Sequence, residues 1–594
     1  MKSQSPPRTL LKPRIVLLVS GLLALTVMSA SALQNGQKFD NQMMEIMARM
    51  DRAMKQAPMI GDPDHDFVTM MIPHHQGAID MAKVELLYGK NQVLKRLAQE
   101  IIVTQEQEIV VMKQQLAAMT TSHPTEGELR TSSPVPAETG TLTISNRDRV
   151  YTADQTSNTV SVIDPSTNKL LGLIRLGDPV PEALSPLYKG ALLVHGLGFS
   201  PDHRTLAVVS IGSNSVTLID TATNHVEGTI YVGRAPHEAF FTPDGKQLWV
   251  AVRGEDYVAV IDPRKKQVVR QIKTANGPGM VMFRPDGRYA FVPSSFTPEL
   301  DVIDTHTYKV VARVPQVSPF CPNLAVSPDG EQVWFTLKDT GKTQVISAKP
   351  PFHTLATLDT GPITNHVNIV DNAKGHFAYV TVGGLNEVKV YTRSIPPQLV
   401  ATIPTGDLPH GIWPSGDGSR VYVGLENGDA VQAIDTITNK VIATIHVGQL
   451  PQALVYVPDA VPNGSGTENL VPLQVATEAV HLQLVSANSA MPSAQASVVV
   501  NNLGLVDNLQ IAATGLRPGE MYQLCLVPST TPPYNHLTPI VTFKANPAGA
   551  AIAQAIGPIR KVLTYPSNEE LPRQYLIVVL ANDETPVLVE REGH

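Results

Sequence analysis

Hydrophobic and polar positions follow three different rhythms along this chain. In residues 38–119 the apolar positions recur at helical spacing. Met43, Met47, Met50 and Met54 are spaced 4-3-4 and share one helix face. Asp62-Pro63-Asp64 predicts a helix start, with Asp62 as the cap and proline in the first turn. The helical pattern then runs to about Tyr88, where Gly89-Lys90-Asn91 breaks it, and a third helix is predicted from about Gln92 to Met119. Residues 120–140 are polar and rich in Pro, Ser and Thr, which reads as a linker.

From about 141 to 458 the rhythm changes to short alternating strands, and the chain repeats itself. A phrase ending in hydrophobic-Ile-Asp closes at Asp164, Asp220, Asp262, Asp304 and Asp435, with degenerate copies at Ser347 and Thr392. A Pro-Asp-Gly turn recurs at Pro243, Pro285 and Pro328. Seven periods of four short strands predict a seven-bladed β-propeller. The first period lacks an inner strand, and an unpaired strand, Ala453 to Val457, is left at the end. Pairing the two would remove open edges, so the last strand is expected to complete the first blade. Residues 178–190 read as an insertion. From about 465 to 594 a period-two alternation continues without the repeat, as in HLQLVS, ASVVVNN and YLIVVLA, and predicts a small antiparallel β-sandwich. The fold class is therefore multidomain: a helical bundle, an all-β propeller and a sandwich.

Composition narrows the setting. A length of 594 residues accommodates about three domains. A net charge of −7 argues against broad nucleic-acid binding, which needs a basic surface. Lys2, Arg8, Lys12 and Arg14 precede an apolar run from Ile15 to Ser29, and Ala30-Ser31-Ala32 is a cleavage signature. Residues 1–32 thus read as a signal peptide, and the chain is expected in the periplasm or at the cell surface. An uncleaved anchor is the alternative. No later stretch reads as a membrane span. Cys321 and Cys525 lie far apart in sequence and are expected as separate buried thiols.

Two constellations carry candidate chemistry. In Met70-Met71-Ile72-Pro73-His74-His75, Met71, one of the histidines, Ala78 and Met81 share a helix face. The third helix offers Ile101, Gln105, Glu108 and Met112 at matching spacing. Pro73 would kink the helix and free a carbonyl. Thioethers with imidazoles suit a soft ion, Cu(I) before zinc. The plain alternative is a bundle with methionine as gap filler. The stretch MMIPHHQGAIDMA, followed by LAQEIIVTQEQEIVVM, resembles the domain-of-unknown-function-305 family of exported, ferritin-like helical proteins associated with copper. That resemblance implies Met71, His74, His75 and Met81 as ligands, joined by Met112, with Glu108 as a ligand or a group behind one.

The second constellation is a position at the entry to each inner propeller strand, occupied by His195, His237, Gly279, Asn323, His366, His410 and Gln452. Equivalent positions converge on the central channel. Four histidines would then ring one mouth, with Asn323 and Gln452 between the pairs, as a second copper or zinc site or as a hydrogen-bonded plug. Tyr379-Val380-Thr381-Val382, with Val150-Tyr151-Thr152 and Val421-Tyr422-Val423, resembles the YVTN-repeat β-propeller family. Its relatives include a copper-cluster reductase and calcium-dependent lactonases. The ring has only four histidines, and the ring position holds no carboxylate, which argues against both.

These features predict an exported copper-binding or copper-handling protein, more a binder than an enzyme. Its propeller would be a platform for an envelope protein partner. A recognition protein with a structural metal and a metalloenzyme using the histidine ring are the alternatives. No nucleophile elbow, phosphate-binding glycine loop or zinc-protease motif is present.

Overall fold

The computed structural model describes residues 37–91, 94 and 95, scattered positions between 98 and 116, and residues 143–176, 192–473, 479–502, 507–564 and 573–591. The expected signal peptide, linker and 178–190 insertion lie outside these residues. No helix among the described residues is long and apolar enough to cross a membrane. Two compact units make up the chain, Met1–Thr125 and Glu126–His594.

The first unit is helical: α1 (37–55), α2 (Pro63–Tyr88) and α3, whose described residues run from 94 to 116. The Asp62 carboxylate caps α2 by accepting from the Asp64 and His65 amides, and Gly89 ends it. Pro73 lies inside the helix, which runs to Tyr88 as the pattern predicts. Ile79, Ala82, Ala98, Ile102 and Ile109 form the core between α2 and α3, with Ile72, Leu86 and Met112 at its margin. On another side of α2, Met50 of α1 lies so close to Gly77 that a Cβ there would collide with its side chain.

The second unit contains seven four-stranded antiparallel sheets, the blades of a propeller. Pro451–Val457 pairs with Arg149–Asp154, so the last strand closes the first blade. The repeated sequence phrases have local causes. The aspartates that end the third strands accept backbone amides two or three residues on: Asp220 from Thr223, Asp304 from His306 and Thr307, Asp435 from Ile437 and Thr438. This fixes the outer hairpins of those blades. In the Pro-Asp-Gly turn, the Thr242 hydroxyl donates to Asp244 and Gly245 takes φ +69°, a left-handed conformation that favours glycine. Trp249 and Trp334 fill equivalent core positions, and each indole donates to a glutamine two residues back. Both cysteines are free and buried.

The C-terminal strands form one eight-stranded antiparallel sheet with Thr538–Lys544 and Ala551–Gly557 at its edges. The sheet curls, barrel-like, around Leu484, Val498, Leu509, Tyr522, Leu524, Leu576 and Val578. It docks on the propeller through a small apolar contact of Ile363, Leu408, Ala512 and Ala550. Polar contacts surround it: Gln510 donates to Glu426 and Asn427, Asn427 to Ser497, and Thr514 to the Gly384 carbonyl.

Candidate metal centres

In the helical unit, α2 and α3 meet through polar groups beside their core. His75 donates from Nδ1 to the Met71 carbonyl at 2.9 Å, and its Nε2 lies 2.7 Å from the half-exposed Glu108 carboxylate. Both nitrogens of His75 are therefore engaged. His74, at 5.7 Å ring to ring, is different: its Nδ1 is buried and has no protein partner. Gln105 Oε1, on α3, is also buried without one. Met71, Met81 and Met112 are half-buried.

In the propeller, the ring position places its histidines as a row across the channel mouth. His237 and His195 lie 4.3 Å apart between ring centroids, His195 and His410 6.2 Å, and His410 and His366 4.6 Å. All four are buried. His237 donates Nδ1–H to the Gly279 carbonyl at 2.6 Å and His410 to the Gln452 carbonyl at 3.0 Å, which leaves the Nε2 lone pair of each free to accept. His195 Nδ1 and His366 Nε2 have no protein partner. Burial holds all four imidazoles neutral, pushing His366 down to about 3 and the others well below the ordinary histidine value. The nearby cations Arg253 and Lys338 push in the same direction. Asn323 acts structurally, accepting from the Val367 amide and donating to the Met280 sulfur.

Glu238 completes the cluster and was not foreseen. One ligand atom each from His195, His237 and Glu238 lies within 4.8 Å of the others, and all three residues are buried. Strict alternation along a strand would turn Glu238 away from His237. The ladder shift between Pro236 and Glu238 places one extra residue here, a β-bulge, and both side chains reach the same cluster. The same extra residue occurs at the entries beginning with Val194, Thr364, Pro409 and Pro451. Hence, although the ring position itself carries no carboxylate, the mouth does. Burial raises the Glu238 carboxyl well above the usual carboxylate range, opposed by Arg253 and the Leu197 amide. Gly196 permits this close approach, because a Cβ there would strike the His237 carbonyl.

A second ring, also missed from sequence, sits one residue past each second strand: Gln155, Ile211, Arg253, Ser294, Lys338, Gly383 and Glu426. Its repeat phase was available in the sequence, but its residue types differ from blade to blade. Glu426 Oε2 lies 3.9 Å from His410 Nε2. Arg253 packs over Phe320 at 4.7 Å. Gln155, Lys338, Glu426 and the ring residue Gln452 line a chamber of about 320 Å³, and Gln510 and Gln554 of the C-terminal sheet line it from the other side. Next along the channel, Phe240 and Trp413 stack at 6.3 Å. The gap there, lined in part by Glu238, Asn323 and His366, measures only about 10 Å³.

Comparisons with known proteins follow this division. Residues 20–116 match the family model described as a domain of unknown function, number 305. Residues 197–460 match the YNCE-like β-propeller. No curated protein matches the chain. Among solved structures, similar chains include Kuenenia stuttgartiensis hydrazine synthase, at 22% identity and TM-score 0.41, covering 45% of this chain and 90% of that one. A functionally unknown protein from Desulfotomaculum acetoxidans aligns at 13% identity and TM-score 0.45, covering 52% and 99%. The periplasmic gluconolactonase of Pseudomonas aeruginosa aligns at 20% and 0.42, covering 52% and 99%.

Proposed function

We propose that this chain is an exported copper-binding protein of the periplasm or cell surface. Its helical segment holds Cu(I), and its propeller serves as a platform for an envelope partner. The observation that carries the copper reading is His74, whose buried Nδ1 has no protein partner and which lies on the helix that also carries half-buried Met71 and Met81. A neutral imidazole with thioethers is a soft donor set. Met112 and Glu108 on α3 extend it, and His75, held by Glu108, stands beside it. The outer strands of the blades, with exposed Tyr231, Val269, Val311 and Ile442, offer open edges for a partner.

The test is anaerobic Cu(I) competition against a chelator of known affinity. Met71→Leu, His74→Asn and Met81→Leu together preserve volume but remove the donors. Cu(I) affinity is expected to fall at least a hundredfold in the triple variant of the full chain. Unchanged affinity would refute the assignment.

A further inference from the structure

We propose that His195, His237 and Glu238 form a separate metal site inside the propeller, taking a borderline divalent cation of the zinc class. Four observations meet there. The donors are two imidazoles and one carboxylate, with ligand atoms mutually within 4.8 Å. Two nitrogens with an oxygen suit zinc and leave a coordination position free, in contrast to the thioether set of the helices.

Two of these side chains also have polar atoms that the protein does not satisfy. His195 Nδ1 and Glu238 Oε1 are buried and meet no hydrogen-bond partner, on residues 6% and 2% exposed. A buried polar atom left without a partner is costly, so a ligand is expected. A hydrogen-bonded plug would satisfy these atoms, as Asn323 and His237 Nδ1 are satisfied.

The third observation is tautomer control. The Gly279 carbonyl takes the Nδ1 proton of His237, so its Nε2 lone pair is the one presented. Fixing the far nitrogen on a carbonyl is how proteins orient metal-binding histidines. The fourth is the backbone: the bulge that brings Glu238 beside His237 is what assembles the set.

The experiment uses the full chain, stripped of metal and reloaded with Co(II) as a spectroscopic stand-in and with Zn(II) for stoichiometry. The wild type is expected to bind one Co(II) with visible absorption bands of low-coordinate cobalt. Glu238→Gln and His195→Asn are each expected to weaken it at least tenfold. The helical triple variant should retain it, which separates this site from the copper reading. Crystals of the zinc-loaded wild type supply a measurement that does not depend on a variant folding. An anomalous zinc peak within coordination distance of the three side chains is expected. No peak there, or a peak only in the helical segment, would overturn the proposal. So would Co(II) binding unaltered in both folded propeller variants.

Discussion

Burial determines the protonation of the ring histidines, and this has a measurable consequence. His366 ionises only at about 3 when folded, because burial and Lys338 both oppose its charge. Once unfolded it returns to the ordinary value of about 6.5. Between these values the unfolded chain takes up a proton that the folded chain refuses. The His366 contribution is therefore intact above pH 6.5 and erodes as pH falls toward 3, by at most about 1.4 kcal/mol per pH unit. Glu238 has the opposite sign, since its raised value favours the folded state at low pH and costs stability as pH rises above 4.5. Comparing metal-free wild type with His366→Asn isolates one group from the other. Relative to the variant, the wild type is expected to lose roughly 2–3 kcal/mol between pH 6.5 and 4.5, measured by urea unfolding. Parallel curves would show that His366 is not held neutral.

At the scale of single elements, the bulged entry of the inner strand is the decisive device. It depends on Gly196, where any Cβ meets the His237 carbonyl. Gly196→Ala is expected to destabilise the chain by about 1–3 kcal/mol through overpacking. The urea midpoint should shift and the slope should stay constant; an unshifted midpoint would contradict the packing described here. The same device shows where sequence reading succeeds and stops. The aspartates ending five of the third strands and the Pro-Asp-Gly turns act within two or three residues of themselves, so blade count and ring closure were legible. The ring histidines were legible because they recur in phase. Glu238 was not, because reading a strand with period two assigns it to the opposite face, and only the ladder shift brings it in. In α2, the Asp62 cap and the Gly89 stop were legible for the same local reason. The bond from His75 Nδ1 to the Met71 carbonyl was not, and Glu108, placed beside the ligand set by the family resemblance alone, reaches Nε2 from another helix.

At the scale of the molecule, the C-terminal sheet and the propeller act as one unit with a chamber between them. The contacts that join them, Gln510 to Glu426 and Asn427 to Ser497, connect residues 70 or more apart. No periodicity announces such pairs, so the strands of this domain were legible while their single curled sheet and its place over the mouth were not. The central claim is a division of labour, with soft-ion binding assigned to the helical segment and the propeller providing nitrogen and oxygen donors. The most direct measurement is copper K-edge X-ray absorption on the full chain after anaerobic Cu(I) loading. The predicted result is a first shell containing sulfur together with nitrogen, with the sulfur contribution lost when Met71, Met81 and Met112 are all replaced by leucine. A shell of nitrogen and oxygen alone, or one unchanged by those replacements, would contradict it.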